Sequence, residues 1–357
     1  MRSQGFTEIH TPKLVGTASE GGADVFKVEY FGGNAYMAQS PQLYKQMALM
    51  ADLERVFEVP PHLLPTPLTS TLTCIASPSK YPQHCLNMLS LPAQIGPVFR
   101  AENSMTHRHM TEFTGLDMEM TFMENYAEVV DMLDRTFNAV FDGLNDGFAN
   151  ELEAIRAQHP FENLRYRYPC LRFTYVEAMA LLRTEGPKIL RAAAEATTDD
   201  AERQHLKLRE ESVSTHGDLV DIGTEDEKLL GEVIANQYGQ DFYIIDKFPA
   251  SVRPFYTMPD PNNPDLSNSY DIFIRGEEVT SGAQRIHDPS LLLAQAAAKE
   301  PPVDLTPIQA YVDSFKYGAF PHAGGGIGLE RVVMLFCGLP NIRKSSLFPR
   351  DPKRLSP

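Results

Sequence analysis

The chain has 357 residues, 43% of them hydrophobic and 22% charged, with 47 acidic against 32 basic side chains and a formal charge of −15. That apolar content supports a large core and excludes wholesale disorder. The acidity excludes a chain held to nucleic acid by its overall charge, and leaves room only for a local basic site.

At about 100–200 residues per domain, the length allows one large or two ordinary domains. Cys74, Cys85, Cys170 and Cys337 form no CxxC pair, so neither a zinc knuckle nor a disulfide framework is indicated. The opening MRSQGFTEIH lacks the apolar run of a secretory signal. No uncharged apolar run approaches the ~20 residues of a membrane span. The expectation is a soluble, acidic protein of a reducing compartment, without a membrane partner.

In chain order, a strand-like stretch through Val25, Val28, Tyr30 and Phe31 meets Gly32-Gly33, and AYMAQ follows as a second strand, which predicts a hairpin. After Pro41, QLYKQMALMADLERVFE has helical periodicity. Residues 59–94 are an anomaly, with seven prolines, eight Ser/Thr, seven leucines, one lysine and no Asp, Glu, Arg or Gly. That stretch fits neither a strand nor a helix, and so long a structureless loop is foreign to a compact domain.

GPVFRAE and FTGLDMEMTF then alternate as two strands joined by NSMTHRHMTE, and 126–145 is an amphipathic helix. Residues 187–215 read as helical with a solvated outer face, and DFYIIDKFP as a buried strand ended by Pro249. SYDIFIRGEEVTSGAQR reads as a hairpin turning at Gly276-Glu277, and HAGGGIGLERVVMLFCGL as a glycine-rich approach to a short helix.

Three clusters carry candidate chemistry. Period-two alternation puts Val98, Arg100 and Glu102 on one face of their strand, and Phe113, Gly115, Asp117 and Glu119 on one face of the next. Leu116, Met118 and Met120 take the core face. Charges on a strand face usually form solvated cross-strand pairs, but this does not explain the crowding of His107, Arg108 and His109 in the loop between. In the later hairpin, Asp271 and Glu278 project from one face. Two such carboxylates suit Mg²⁺, and equally suit a solvated acidic hairpin. In GGGIGLER, glycines permit close approach of a ligand, and Arg331 sits in a first helical turn where the dipole favours an anion nearby.

FTEIHTPKL, FRAE and GGGIGLER, taken in order, resemble the three signature motifs of class II aminoacyl-tRNA synthetases. SEGG (19–22), QSPQLYKQ (39–46), FRAENSMTHRHMTEFTGLDMEM (99–120), RPFYTMPDP (253–261), SNSYDIFIRGEEVTSGAQRIHD (267–288), PHAGGGIGLER (321–331) and LFPRDPKRL resemble the aspartyl enzymes of eukaryotic cytosol. The resemblance covers nearly the whole chain. It implies an α+β catalytic domain, an antiparallel β-sheet flanked by helices, spanning 1–357. It also implies ATP-dependent activation of L-aspartate, transfer to tRNA(Asp), Mg²⁺ and a homodimer to which the Pro12 segment contributes.

Carried over residue by residue, Arg100 would grip the α-phosphate, with Glu102 at the adenine amino group and Phe113 stacked on the ring. Arg108 and His109 would face the outer phosphates, Arg331 the nucleotide, and the Gly328 backbone would let it sit close. Glu278, with Asp271 and Ser281, would hold Mg²⁺. Arg285 and Lys45 would take the substrate's side-chain carboxylate, Glu20 and Asp117 its ammonium, and Gln42 and Ser281 would help orient it. Without the resemblance, Lys45 reads as a helix-surface lysine.

Two departures follow. The chain begins inside the first motif, so the family's N-terminal anticodon-binding domain is expected to lie outside it. The family runs from ERVFE directly into IGPVFRAE, so removing 59–94 restores the pattern. Two origins fit: an intron translated in frame, since Val codons begin GT and pyrimidine-rich DNA encodes Pro, Leu and Ser, or a surface insertion. The rival functional readings are an aspartate-adenylating paralogue that charges no tRNA, and a silent partner or fragment.

Overall fold

A computed structural model describes residues 7–16, 25–51, 56–58 and 93–356; for 7–8, 56–58 and 93–95 it describes the backbone alone. The residues divide into two compact units, Met1–Glu162 with Pro254–Met258 and Gly282–Pro357, and Asn163–Arg253 with Pro259–Ser281.

The first unit opens with β1 (Thr7–Glu8), β2 (Leu14–Val15), β3 (Lys27–Tyr30) and β4 (Gly33–Met37). β4 pairs antiparallel with both β2 and β3. The expected hairpin forms, but its two-residue turn is Phe31-Gly32, one position earlier than the sequence suggests. Both turn residues have positive φ, 44° and 79°, the pattern of a turn whose twist matches the strands it joins.

Helix α1 (Gln42–Met50) is shorter than its periodicity implies, because Val56–Glu58 leaves the helical pattern as strand β5. Its buried positions are Gln42, Lys45, Gln46 and Leu49, a stripe at helical spacing that is mostly polar. β5 pairs in parallel with β1 on one side and with β6 (Ala93–Phe99) on the other. The last two residues of the anomalous stretch, Ala93 and Gln94, are therefore strand; residues 59–92 lie outside the described residues.

β7 (Glu112–Thr121) pairs antiparallel with β6, Val98 opposite Phe113 and Gln94 opposite Asp117. From Gly115 to Met120 it is buried on both faces. α2 (Ala127–Gly147) buries Val129, Val130, Leu133, Phe137 and Phe141, each such side chain contributing about 1.5–3 kcal/mol. α3 (Ala149–Gln158) follows.

In the second unit, β8 (Leu171–Thr174), β9 (Phe242–Asp246) and β10 (Ser269–Ile274) form adjacent strands, β8–β9 parallel and β9–β10 antiparallel. Helices α4 (Tyr175–Ala196), α5 (Asp200–Ser214) and α6 (Thr224–Tyr238) cover them, and Tyr175, Leu182, Leu230, Ile234, Tyr243 and Phe273 share one core. The helical stretch expected at 187–215 is thus two helices, the first beginning at Tyr175 behind a Thr174–Glu177 capping box and the second capped by Asp199. β9 is buried throughout, as its composition implies.

β11 (Glu277–Gln284) follows β10 through a turn at Arg275-Gly276, φ 52° and 76°, again one residue earlier than expected. A Cβ on Gly231 of α6 would lie 2.4 Å from the Gly276 Cα, so this turn packs directly on the helix.

The chain re-enters the first unit with α7 (Pro289–Ala298) and α8 (Gln309–Ser314). Tyr256, Ile286, Leu292, Tyr311, Val312 and Phe315 form its second core, against which Leu43, Met47 and Met50 of α1 pack. The glycine-rich approach is strand β12 (His322–Gly328), antiparallel to β7, leading into α9 (Leu329–Phe336). Glycine is a poor strand former, but the pairing requires it here. A Cβ on Gly324 would lie 2.1 Å from the Met118 carbonyl oxygen, and one on Gly326 2.9 Å from Asp117 Oδ1. α9 ends beside α2, with Phe336 stacked on Phe141 at 5.8 Å between ring centroids.

Candidate functional site

The polar face of α1 meets the charged face of β7. Lys45 Nζ lies 3.2 Å from Asp117 Oδ1 and 3.3 Å from Glu119 Oε2, and also reaches the Met118 carbonyl at 3.4 Å. Arg285 donates from Nε to Glu119 Oε1 (2.9 Å), and from Nη2 to Gln42 Oε1 and to the Gly324 carbonyl (3.0 Å each). Gln42 Nε2 in turn donates to Glu119 Oε2 at 3.4 Å. Lys45 is 1% exposed, Glu119 0% and Arg285 6%. The solvated-pair reading therefore fails for Asp117 and Glu119, and the helix-surface reading fails for Lys45.

Burial alone would push the Glu119 carboxyl up. Arg285, then Lys45, more than offset this and hold it below the usual range. Two cations and two carboxylates make a lattice of zero net charge that is buried yet polar enough to solvate a small charged molecule. Removing any one member strands its partner without water, which typically costs 3–5 kcal/mol.

Behind the lattice, His322 is fully buried, its Nδ1 2.7 Å from the Phe320 carbonyl and its Nε2 3.2 Å from Gln46 Oε1. Tyr311 OH lies 3.2 Å from the same Gln46 oxygen. His322 also accepts the Arg285 backbone N–H at its carbonyl, 2.9 Å away.

A second group lies at the end of β6, the following loop and the start of α9. Arg100 Cζ sits 5.7 Å from the Phe113 ring centroid, and its Nη1 is 3.9 Å from Glu102 Oε1. His109 Nε2 approaches Glu102 Oε2 at 3.7 Å, and its Nδ1 contacts Thr106 Oγ1 at 2.5 Å. Arg331 Nη2 donates to the Arg108 carbonyl (3.3 Å). Glu330 accepts the Thr114 N–H at both oxygens, 3.0 and 2.9 Å, which pins α9 to β7.

Burial lowers the pKa of His109; Glu102 opposes the shift, and Arg331, Arg108 and Arg100 add to it. A Cβ on Gly328 would meet only Arg331 Cβ at 3.9 Å and Phe113 at 4.0 Å. Unlike at Gly324, a Cβ at Gly328 would make only ordinary van der Waals contacts, so the packing of the strand does not itself demand glycine there.

The third group is in the second unit. Arg253 Nη2 donates to Asp271 Oδ2 and its Nη1 to Ser281 Oγ, each at 2.8 Å. Burial pushes the Asp271 carboxyl up to about 6; Arg253 opposes this, and the neighbouring Glu278 adds to it. Asp271 Oδ1 is buried with no hydrogen-bond partner. An orphaned carboxylate oxygen beside a second carboxylate and a hydroxyl is the donor set that fits Mg²⁺, which takes one or two protein carboxylates and keeps its waters. Among the described residues no cluster of three His, Cys, Asp or Glu offers an alternative metal site.

Within the first unit the structure thus brings together Gln42, Lys45, Asp117 and Arg285 in one group and Arg100, Glu102, Arg108, His109, Phe113, Gly328 and Arg331 in another; within the second unit it brings together Asp271, Glu278 and Ser281. Glu20 lies outside the described residues. Glu119, Gln46, His322, Tyr311 and Arg253 join these groups without a role that the sequence alone assigns them. Glu119 shares the alternation that singles out Asp117, and the polar i, i+4 pair Gln42/Gln46 beside Lys45 is the signal for Gln46.

A family model described as "tRNA synthetases class II (D, K and N)" matches residues 1–62 and 76–352, passing over part of the proline-rich stretch. "Aspartate--tRNA ligase, cytoplasmic" of Homo sapiens is 48% identical over 355 residues, covering 99% of this chain and 58% of that protein. "Aspartate--tRNA ligase, cytoplasmic 1" of Dictyostelium discoideum is 49% identical over 354 residues, covering 99% of this chain and 50% of that one. The chain spans about half the length of the curated relatives it matches.

Among solved structures, an aspartyl-tRNA synthetase from Entamoeba histolytica superposes with a TM-score of 0.72 at 44% identity, covering 100% of this chain and 56% of that one. An asparaginyl-tRNA synthetase from Pyrococcus horikoshii, complexed with asparaginyl-adenylate, gives 0.71 at 26% identity, covering 100% and 66%. With its α+β fold, its strand pairings and a family match over most of its length, the chain belongs to the class II tRNA synthetases of the D, K and N group.

Proposed function

We propose that this chain carries the catalytic site of an aspartate–tRNA ligase acting in the cytoplasm. In the first step an α-carboxylate oxygen of L-aspartate attacks the α-phosphorus of ATP and the bond to pyrophosphate breaks. In the second, the terminal ribose hydroxyl of tRNA(Asp) takes the aspartyl group and AMP leaves. Neither step needs a protein nucleophile, so the protein positions the reactants and stabilises charge.

The observation that carries the reading is the buried Lys45–Asp117–Glu119–Arg285 lattice. A buried cluster of two cations and two carboxylates can exchange its internal contacts for those of a zwitterion bearing one further carboxylate. Arg285 and Lys45 take the side-chain carboxylate, Asp117 the ammonium, and Gln42 orients the backbone. Asparagine would leave the cations short of charge in a dry site, and polar mismatch of that kind discriminates strongly.

Arg100 grips the reacting phosphate and carboxylate bidentately, a geometry lysine cannot supply. Glu102 and Phe113 hold the adenine, and Arg108, His109 and Arg331 the outer phosphates. Asp271, Glu278 and Ser281 would hold Mg²⁺, which when bound offsets charge on the leaving pyrophosphate. Two copies of the chain, joined through the Pro12 segment, make the working homodimer.

The test is aspartate-dependent exchange of labelled pyrophosphate into ATP, followed by charging of tRNA(Asp) with the same preparation. Exchange with aspartate but not asparagine, and its loss by at least 100-fold in both Arg100→Ala and Arg285→Ala, is expected. Undiminished exchange in either variant removes the site as drawn.

A further inference from the structure

Arg253 stands just after β9, where a single helical turn, Ala250–Val252, comes to its end. Its N–H donates to the Ala250 carbonyl at 3.3 Å. The proline that follows restricts the residue before it to extended backbone, and Arg253 has φ −106° and ψ 153°. The guanidinium is then held on its face and along its edge. Its Cζ lies 4.1 Å from the ring centroid of Phe248. Phe248 packs in turn on Tyr175, with 4.8 Å between ring centroids, inside the core of the second unit. The Phe248 carbonyl accepts from both the N–H and the hydroxyl of Ser267, each at 2.9 Å.

Along its edge, Arg253 contacts two of the three residues proposed to hold Mg²⁺: Nη2 donates to Asp271 Oδ2 and Nη1 to Ser281 Oγ. The terminal torsion of an Asp side chain is broad and roughly two-fold, so its own rotamer does not decide which oxygen faces a ligand. Here Oδ2 is committed to Arg253, and Oδ1 is the oxygen left buried without a hydrogen-bond partner. The Ser281 oxygen accepts from Nη1 and keeps a second lone pair. A guanidinium presents its donors in a rigid fork, so one group sets both side chains relative to each other. Lysine would supply the charge without the fork.

We propose that Arg253 is a positioning residue that fixes Asp271 and Ser281 for a small octahedral cation, and so makes this site prefer Mg²⁺ to Ca²⁺. The proposal deepens, and rests on, the Mg²⁺ assignment made with the ligase reading. Mg²⁺ demands near-ideal octahedral geometry, whereas Ca²⁺ accepts more oxygens in flexible arrangements. A carboxylate held in one plane, with one oxygen already taken, suits the first ion. A carboxylate free to turn and bind through both oxygens suits the second. Partners that orient a metal ligand in this way typically contribute about 10–100-fold to metal affinity.

The experiment uses the full 357-residue chain without nucleotide. Mn²⁺, which takes the same oxygen ligands as Mg²⁺, is titrated by the electron paramagnetic resonance signal of the free ion, and Ca²⁺ by its competition with Mn²⁺. The ion counted is the one that Glu278→Gln abolishes. Arg253→Lys is expected to weaken Mn²⁺ by about tenfold or more and Ca²⁺ by less than about threefold, so the preference between them collapses. Phe248→Leu removes the ring beneath the guanidinium and leaves both donors in place. It shifts the preference the same way, by about threefold. Arg172→Lys, which loosens the Arg172–Asp246 pair of the same unit, shifts neither affinity.

Equal weakening of both ions in Arg253→Lys would show that the residue supplies charge or stability alone, and unaltered affinities that it positions nothing. A matching loss in Arg172→Lys would assign the effect to general loosening of the unit. A wild-type chain that binds no Mn²⁺ dependent on Glu278 also overturns the proposal, while pyrophosphate exchange by that chain would leave the ligase reading standing. Should the wild type lack exchange while the pattern of metal preference holds, the ligase reading fails and Arg253 keeps its role.

Discussion

His322 and Asp271 are both buried, and burial moves their pKa values in opposite directions, to about 4 and about 6. Neutral His322 has one N–H. With Nδ1 donating to the Phe320 carbonyl, Nε2 must accept, so the Gln46 amide must turn its nitrogen toward His322 and Tyr311. This rotation also gives a partner to Gln46 Nε2, which is otherwise buried without one. The orientation needs a neutral ring. Between pH 6.5 and about 4 the unfolded chain binds more protons at His322 than the native one, so stability is lost as pH falls through that range. At 1.36 kcal/mol per unit the loss is about 3 kcal/mol.

Asp271 works against this slope. Its folded pKa lies above its ordinary 3.8, so the native chain binds more protons and stability is lost as pH rises from about 4 to about 6, again by about 3 kcal/mol. The two slopes nearly cancel in the wild type, and single variants should expose each. In urea unfolding, His322→Asn is expected to become less stable as pH rises from 4 to 6, and Asp271→Asn more stable over the same interval. Identical pH profiles for the two variants would show that neither group titrates as its surroundings imply. Alternation along β7 made Asp117 and Glu119 legible in the sequence. The burial that gives them force depends on α1, whose polar stripe reads as a solvated face until it is packed.

At the scale of elements, the glycine-rich segment shows why sequence and structure part. HAGGGIG contains what strands normally avoid, so it reads as a loop approaching a ligand. It is a strand because β7 lies too close for any side chain at Gly324, whereas the nucleotide role proposed for Gly328 is independent of that pairing. Gly324→Ala would set a Cβ 2.1 Å from the Met118 carbonyl oxygen and 2.4 Å from Glu119 Oε2. The cost is expected at or beyond the 1–3 kcal/mol usual for overpacking, about 3 kcal/mol or more, with the Glu119–Arg285 contact displaced as well. Gly328→Ala meets ordinary contacts, so its melting temperature should stay within about 2 °C of wild type, a stability change well under 1 kcal/mol. Its KM for ATP in pyrophosphate exchange should rise about tenfold while that for aspartate holds. A Gly328→Ala chain with unchanged ATP KM would show that no nucleotide lies over that backbone. Both two-residue turns were found a position early for a related reason. Phe31 and Arg275 hold positive φ beside a glycine, and a search for glycine alone places the turn one residue late.

For the whole molecule, the stretch 59–94 is the largest element the resemblance does not explain. β5 and β6 run parallel, Phe57 opposite Ala93 and Glu58 opposite Gln94. Parallel neighbours need a crossover of about a dozen residues or more, so Glu58 cannot be joined directly to Ile95 with both strands in place. Deleting 59–94 therefore forces a definite rearrangement. Phe57 and Glu58 must move into the positions of Ala93 and Gln94, opposite Met118 and Asp117, and extend β6 without a break. The β5–β6 pairing disappears, while the ladder that carries Asp117 stays whole. If the stretch is translated intron, or an insertion the fold merely tolerates, the shortened chain should melt at or above the wild-type temperature, protect the amides of 56–58 from hydrogen exchange, and keep aspartate-dependent exchange of pyrophosphate. Sequencing of cDNA across the junction then separates the two origins, since a majority transcript containing the stretch rules out the intron. A deletion chain that no longer folds would make the crossover an integral part of the sheet, and the continuous reading of ERVFE into IGPVFRAE would not describe this protein.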